Sequence, residues 1–66
     1  MEYVITAING NTRRVISRHD NLDDAYKAGE KAYANAAKGE YVDCITGNIS
    51  DDGTIEGYYK LIHLWY

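Results

Sequence analysis

Only one stretch of this chain carries a helical repeat, and the face it turns inward is mostly alanine and glycine. Small and apolar residues recur at steps of three and four as Leu22, Ala25, Tyr26, Gly29, Ala32, Tyr33, Ala36 and Ala37. Asp23, Lys27, Glu30, Lys31, Ala34, Asn35 and Lys38 fall on the opposite, solvated side. Asp20 or Asn21 supplies the N-terminal cap, and Asp23 and Asp24 sit near the positive end. Lys38 lies at the negative end and Gly39 is the left-handed stop, which together predict a helix over residues 22–38. Gly29 costs about 1 kcal/mol of helix propensity relative to alanine. Its place in the buried stripe therefore predicts close helix–sheet contact, with Tyr26 and Tyr33 bracketing it.

On either side of the helix the pattern is that of a β-hairpin. Residues 2–8 and 12–18 are rich in β-branched and aromatic side chains and are joined by Asn9-Gly10-Asn11, a tight-turn sequence that reads as a two- or three-residue loop. Residues 41–49 and 54–65 form a second pair joined by Ser50-Asp51-Asp52-Gly53, in which Gly53 offers the left-handed position that closes a type I turn and seeds a bulge. The expected architecture is one α+β domain over residues 1–66. It is a two-layer ββαββ fold, with a four-stranded, mainly antiparallel sheet and the helix packed on one face. Strand order stays open, because the crossover can place the second hairpin on either side of the first.

The strands carry more apolar surface than one helix can cover. In the last strand Ile55, Gly57, Tyr59, Leu61, His63 and Trp65 alternate with Glu56, Tyr58, Lys60, Ile62, Leu64 and Tyr66, and neither set is polar throughout. The first and third strands are similarly two-sided. A chain of 66 residues also belongs to a size class in which the core alone rarely supplies more than about 3–5 kcal/mol. The single cysteine, Cys44, closes no intrachain disulfide and completes no four-ligand zinc site. These limits predict association, either as a homodimer or with a larger protein that offers a basic surface. The expected interface comprises Tyr3, Tyr41, Tyr58, Ile62, Leu64 and Tyr66. A solvated sheet face, or a C-terminal tail folded over it, are the alternatives.

Charge directs the rest of the reading. Seven basic and ten acidic residues give a net charge of -3, which disfavours a general nucleic-acid binder. Residues 1–19 nevertheless set Arg13, Arg14 and Arg18 against Glu2 alone. Strict alternation puts Arg14 and Arg18 on one face, so these three arginines are the candidate contact for a nucleic-acid-binding accessory protein. Asp20, Asp23, Asp24, Glu30 and the turn acids would form a charged rim around the tyrosine anchors of a protein interface. No apolar run is long enough to cross a bilayer and no leader pattern is present, so membrane association is not expected and a cytoplasmic location is.

Catalytic chemistry finds little support. His19 and His63 have no metal-ligand spacing with Cys44 and belong to no nucleophile–base signature, so Cys44 reads as a small core residue and His63 as an interface or edge histidine. The run from Asn48 to Glu56 superficially follows a calcium-binding loop. Tyr59 occupies the position where a bidentate glutamate is required, and the flanks read as strands, so a hairpin turn is the better assignment. No cofactor, metal or catalytic residue is expected. The chain reads as a small, acidic, non-enzymatic protein-interaction or regulatory module, with nucleic-acid binding and then a small enzyme as the lesser alternatives.

Overall fold

The structure, a computed structural model, describes residues 1–66. Its elements run β1 (Tyr3–Asn9), β2 (Thr12–His19), α1 (Leu22–Ala34), β3 (Tyr41–Ile49) and β4 (Ile55–Trp65). The expected ββαββ order is observed. All pairings are antiparallel, and the strands lie in the order β2-β1-β3-β4, so the two hairpins meet through β1 and β3. No helix is long and apolar enough to cross a membrane.

Local chemistry sets the limits of each element. The first hairpin pairs Asn9 with Thr12, leaving Gly10 and Asn11 as a two-residue loop. Asn21 caps the helix by accepting a hydrogen bond from the Asp24 amide at 2.9 Å, and its own amide group donates to the Asp24 carboxylate. The helix stops at Ala34, short of the expected Lys38. There the Asn35 side chain donates to the Lys31 carbonyl at 2.9 Å, and the Asn35 backbone amide also turns back to the last carbonyls. In the second hairpin the Gly53 amide donates to the Ser50 carbonyl, and the Asp52 carboxylate accepts from the Thr54 amide, both at 2.9 Å. These contacts form the type I turn and left-handed glycine that the sequence predicts, with Gly53 at φ +89°.

The helix-side core gathers Ile5, Val42, Cys44 and Ala25, with Leu22, Ala28, Ala32, Ile62 and Trp65 around them. Gly29 is buried against the sheet as expected, but its bracket is different. The Trp65 indole lies directly on it, so that a Cβ at Gly29 would fall 2.7 Å from Trp65 Cζ2 and closer still to Cη2 and Cζ3. Tyr26 meets Trp65 edge-on at 6.0 Å between ring centroids, whereas Tyr33 is exposed. One alanine-rich turn thus receives the largest side chain of the sheet.

Part of the second sheet face is closed by the chain itself. Val4, Ile45 and Ile49 are buried there, with Val15 and Ile55 packed against them. The tip of the β3–β4 hairpin bends over this face. Arg18 on β2 donates to the Ile49 carbonyl at 2.8 Å and to Asp51 at 2.9 Å, and Gly53 lies so close to the Arg13 carbonyl that a side chain there has no room. At the bend Gly47 has φ +136°, and a Cβ on it would lie 2.8 Å from Tyr59 Cα. The tail does not serve as this cover, since Tyr66 is fully out in solvent.

Candidate protein-interaction surface

The part of the second face left uncovered lies along β4 and the start of β3. Pairing places Leu64 opposite Asp43, Leu61 opposite Ile45 and Tyr59 opposite Gly47, and directly opposed residues share a face. Tyr41, which pairs with Ile8, lies on that face too. Leu61 and Tyr41 are 49% and 50% exposed, and Tyr59 and Leu64 are also open to solvent. Tyr58 and Tyr66 extend the exposed aromatic surface at 79% and 82%. β4 also forms one edge of the sheet, so its outer backbone groups have no neighbouring strand.

Of the six residues expected at an interface, Tyr41, Tyr58, Leu64 and Tyr66 are exposed. Tyr3 and Ile62 instead pack against the helix-side core. Ile62 reaches that side because it is the extra residue of a bulge: His63 pairs with Cys44 and Leu61 with Ile45, so strict alternation fails between them. Tyr59 and Leu61 were not among the expected residues. Their signal, apolar side chains at every second position, is present in the sequence but cannot be assigned to a face until the position of the helix is known.

The arginines are divided between the two faces. Ser17 pairs with Ile5 and Val15 with Thr6, which leaves Ile16 as a bulge and reverses the alternation. Arg14 and Arg18 therefore do not share a face as strict alternation predicts. Arg18 instead joins Arg13 on the second face, where Arg18 binds Glu2 and Asp51 at 2.8 and 2.9 Å. Arg14 binds the buried carboxylate of Glu40 at 2.7 Å, and this hydrogen bond holds Glu40 below the ordinary glutamate range.

Arg13 completes a buried polar group across three strands. Its Nη1 donates to Thr6 Oγ1 at 2.7 Å and to both Asp43 oxygens at 3.1 and 2.9 Å, while the Thr6 hydroxyl donates to Asp43 Oδ1. Asp43 is only 3% exposed, and no buried side-chain nitrogen or oxygen lacks a partner. The triad ties β2, β1 and β3 together. A polyanion approaching these three arginines meets carboxylates that already hold them.

Folding brings His63 directly opposite Cys44, a juxtaposition their separation in sequence conceals. The Cys44 thiol is fully buried, and burial, with Asp43 nearby, pushes its pKa up, away from the reactive thiolate. His63 packs edge-on against Tyr26 and Trp65, with centroid separations of 5.3 and 4.5 Å. His19 Nε2 lies 2.7 Å from Ser17 Oγ. No three histidine, cysteine or acidic side chains converge as a metal site. A shallow groove of about 330 Å³ between the two hairpin turns is lined by Asn11, Thr12, Arg13, Asp52, Gly53 and Thr54. No hydrophobic residue lines it, unlike the apolar pockets that hold most small ligands. The uncovered β4 surface is therefore the candidate site, and no family model, curated protein or solved structure matches the chain.

Proposed function

We propose that this chain is a small non-enzymatic protein-interaction module that docks through β4, with a second copy of itself as the principal partner. One observation carries the reading: β4 combines a free sheet edge with a row of exposed Tyr59, Leu61 and Leu64, flanked by Tyr41, Tyr58 and Tyr66. Tyrosine suits such a surface, because its ring provides contact area while its hydroxyl tolerates water in the free state. The opposite edge is poorly suited to the same use. β2 is interrupted at Ile16, and its arginines are held in ion pairs.

The test is to place a charge in the exposed apolar row. Leu61→Asp combined with Leu64→Asp should abolish association while leaving the circular dichroism spectrum intact, because both side chains are partly solvated in the free protomer. Light scattering across a dilution series follows self-association, and capture on immobilised protein follows other partners. A wild-type chain that stays monomeric throughout and captures no protein in stoichiometric amount refutes the reading.

A further inference from the structure

Two charged side chains of β4 take no part in holding the protomer together. Glu56 and Lys60 are exposed, and neither belongs to any of the ion pairs or side-chain hydrogen bonds of the chain. They flank Tyr58 symmetrically, one on each side. Lys60 pairs with Thr46 and Tyr59 with Gly47, which puts Tyr58 and Lys60 on one face and Tyr59 and Leu61 on the other, and Ile55, paired with Ile49 and packed on the Tyr59 side, leaves its neighbour Glu56 on the side of Tyr58.

We propose that a second copy of this chain adds its β4 antiparallel to the free edge of β4, about a two-fold axis at Tyr58, to form one continuous sheet. This inference rests on the β4 interaction reading above and assigns its partner and register. About that axis, Glu56 of each copy lies opposite Lys60 of the other, so opposite charges meet at both symmetric positions. Tyr58 meets its own equivalent. Tyr59 lies across from Gly57, where an added side chain would meet nothing within 4 Å, and its ring fills that space. Ile55 lies opposite Leu61.

The neighbouring registers are worse for a definite reason. Moving the axis by one residue, to Gly57 or Tyr59, sets Glu56 or Lys60 against Tyr58 and loses both opposite-charge pairs; moving it by two, to Glu56 or Lys60, sets that residue against its own equivalent. Like charges directly opposed on a sheet are destabilising. β4 carries three residues between Ile55 and Tyr59 where β3 carries only Asn48 between Gly47 and Ile49, so the strand bows at this point. The new ladder is therefore short, and the dimer dissociates on dilution.

The experiment is a charge exchange read by sedimentation equilibrium. Glu56→Lys and Lys60→Glu should each weaken wild-type dimerisation at least tenfold, because each places like charges at both symmetric positions. The double variant, Glu56→Lys with Lys60→Glu, should restore it. An equimolar mixture of the two single variants should form a heterodimer, since one chain then presents two cations and the other two anions. Unchanged circular dichroism spectra and melting curves, taken at a dilution where the wild type is monomeric, show that each protomer is still folded. A wild-type monomer at every concentration overturns the proposal, as does a dimer indifferent to the exchange or unrescued by the double variant. If dimerisation ignores the exchange but is lost with Leu61→Asp and Leu64→Asp, the register fails and the β4 interaction reading survives.

Discussion

The contact between Gly29 and Trp65 allows a sign to be predicted as well as a size. Replacing glycine by alanine inside a helix ordinarily stabilises by about 1 kcal/mol. Here the new methyl would collide with the six-membered ring of Trp65, whose Cζ2 lies 2.7 Å from the methyl position. Overpacking of this kind costs about 1–3 kcal/mol. The two terms leave Gly29→Ala neutral to destabilising by about 2 kcal/mol. Trp65→Phe removes the ring atoms that cause the collision and keeps an aromatic side chain beside Tyr26. In that background Gly29→Ala should recover its ordinary gain of about 1 kcal/mol. Urea unfolding followed by circular dichroism, with the denaturant slope held constant, gives all four corners of the cycle. The expected coupling is about 1–3 kcal/mol, the whole of the overpacking cost. If Gly29→Ala stabilises equally in both backgrounds, Trp65 does not rest on Gly29 and the proposed reason for a glycine in this helix is wrong.

Two further outcomes concern the carboxylates. Asp43→Leu removes the acceptor from Arg13 and Thr6 and should cost about 3 kcal/mol, toward the low end for a broken buried pair because Arg13 retains some solvent; adding Arg13→Met should recover most of that loss in urea unfolding, and a double variant no more stable than the single would refute this account. Glu40, held low by Arg14, and Asp52, held low chiefly by its bond to the Thr54 amide, contribute stability that is fully present above their ordinary values of 4.5 and 3.8 and is lost as pH falls through the lower folded values. The melting temperature should therefore fall on acidification below 4.5, and Glu40→Gln should flatten that dependence; an equal acid slope in the variant would rule Glu40 out.

The parts of this fold legible from sequence are those fixed by local chemistry. Gly53 marks its turn because it alone there accepts a left-handed backbone, and the β-branched and aromatic content of β1 and β2 identifies strands whatever their partners. Asn35 shows where local reasoning ranks signals wrongly. Lys38 and Gly39 are a better formal helix ending, but the Asn35 side chain reaches the Lys31 carbonyl first and ends the helix at Ala34. Ile16 and Ile62 mark a different limit. A bulge exists only relative to the strand opposite, so neither residue announces it, yet the first separates Arg14 from Arg18 and the second sends Ile62 to the helix side. The closure of part of the second face is less legible still, since it requires Arg18 to meet Ile49 and Asp51 across the fold. Of the candidate surface, Tyr41, Tyr58, Leu64 and Tyr66 were recognisable as unused apolar groups. Tyr59 and Leu61 were not, because two apolar sets compete for the core in β4.

The bending of the hairpin tip connects the arginines to the interaction surface. Arg13 and Arg18, read in sequence as a basic patch, fasten the tip and the central strands through Asp43, Asp51, Glu2 and the Ile49 carbonyl. That use satisfies the cations and covers the Val4–Ile45–Ile49 cluster, so part of the apolar excess that seemed to require a partner is met within the chain. The remaining excess lies along β4 and at Tyr41, the start of β3. A sheet with two equally open edges invites indefinite edge-to-edge growth, whereas β2 is blunted by the bulge at Ile16 and by arginines held in ion pairs, and β4, though bulged at Ile62, holds no ion pair. In the proposed dimer each protomer uses one edge, and the two-fold axis consumes both at once. On the proposed pairing, the asymmetry between β2 and β4 gives a closed dimer and not a fibre, and the charge pattern around Tyr58 selects its register.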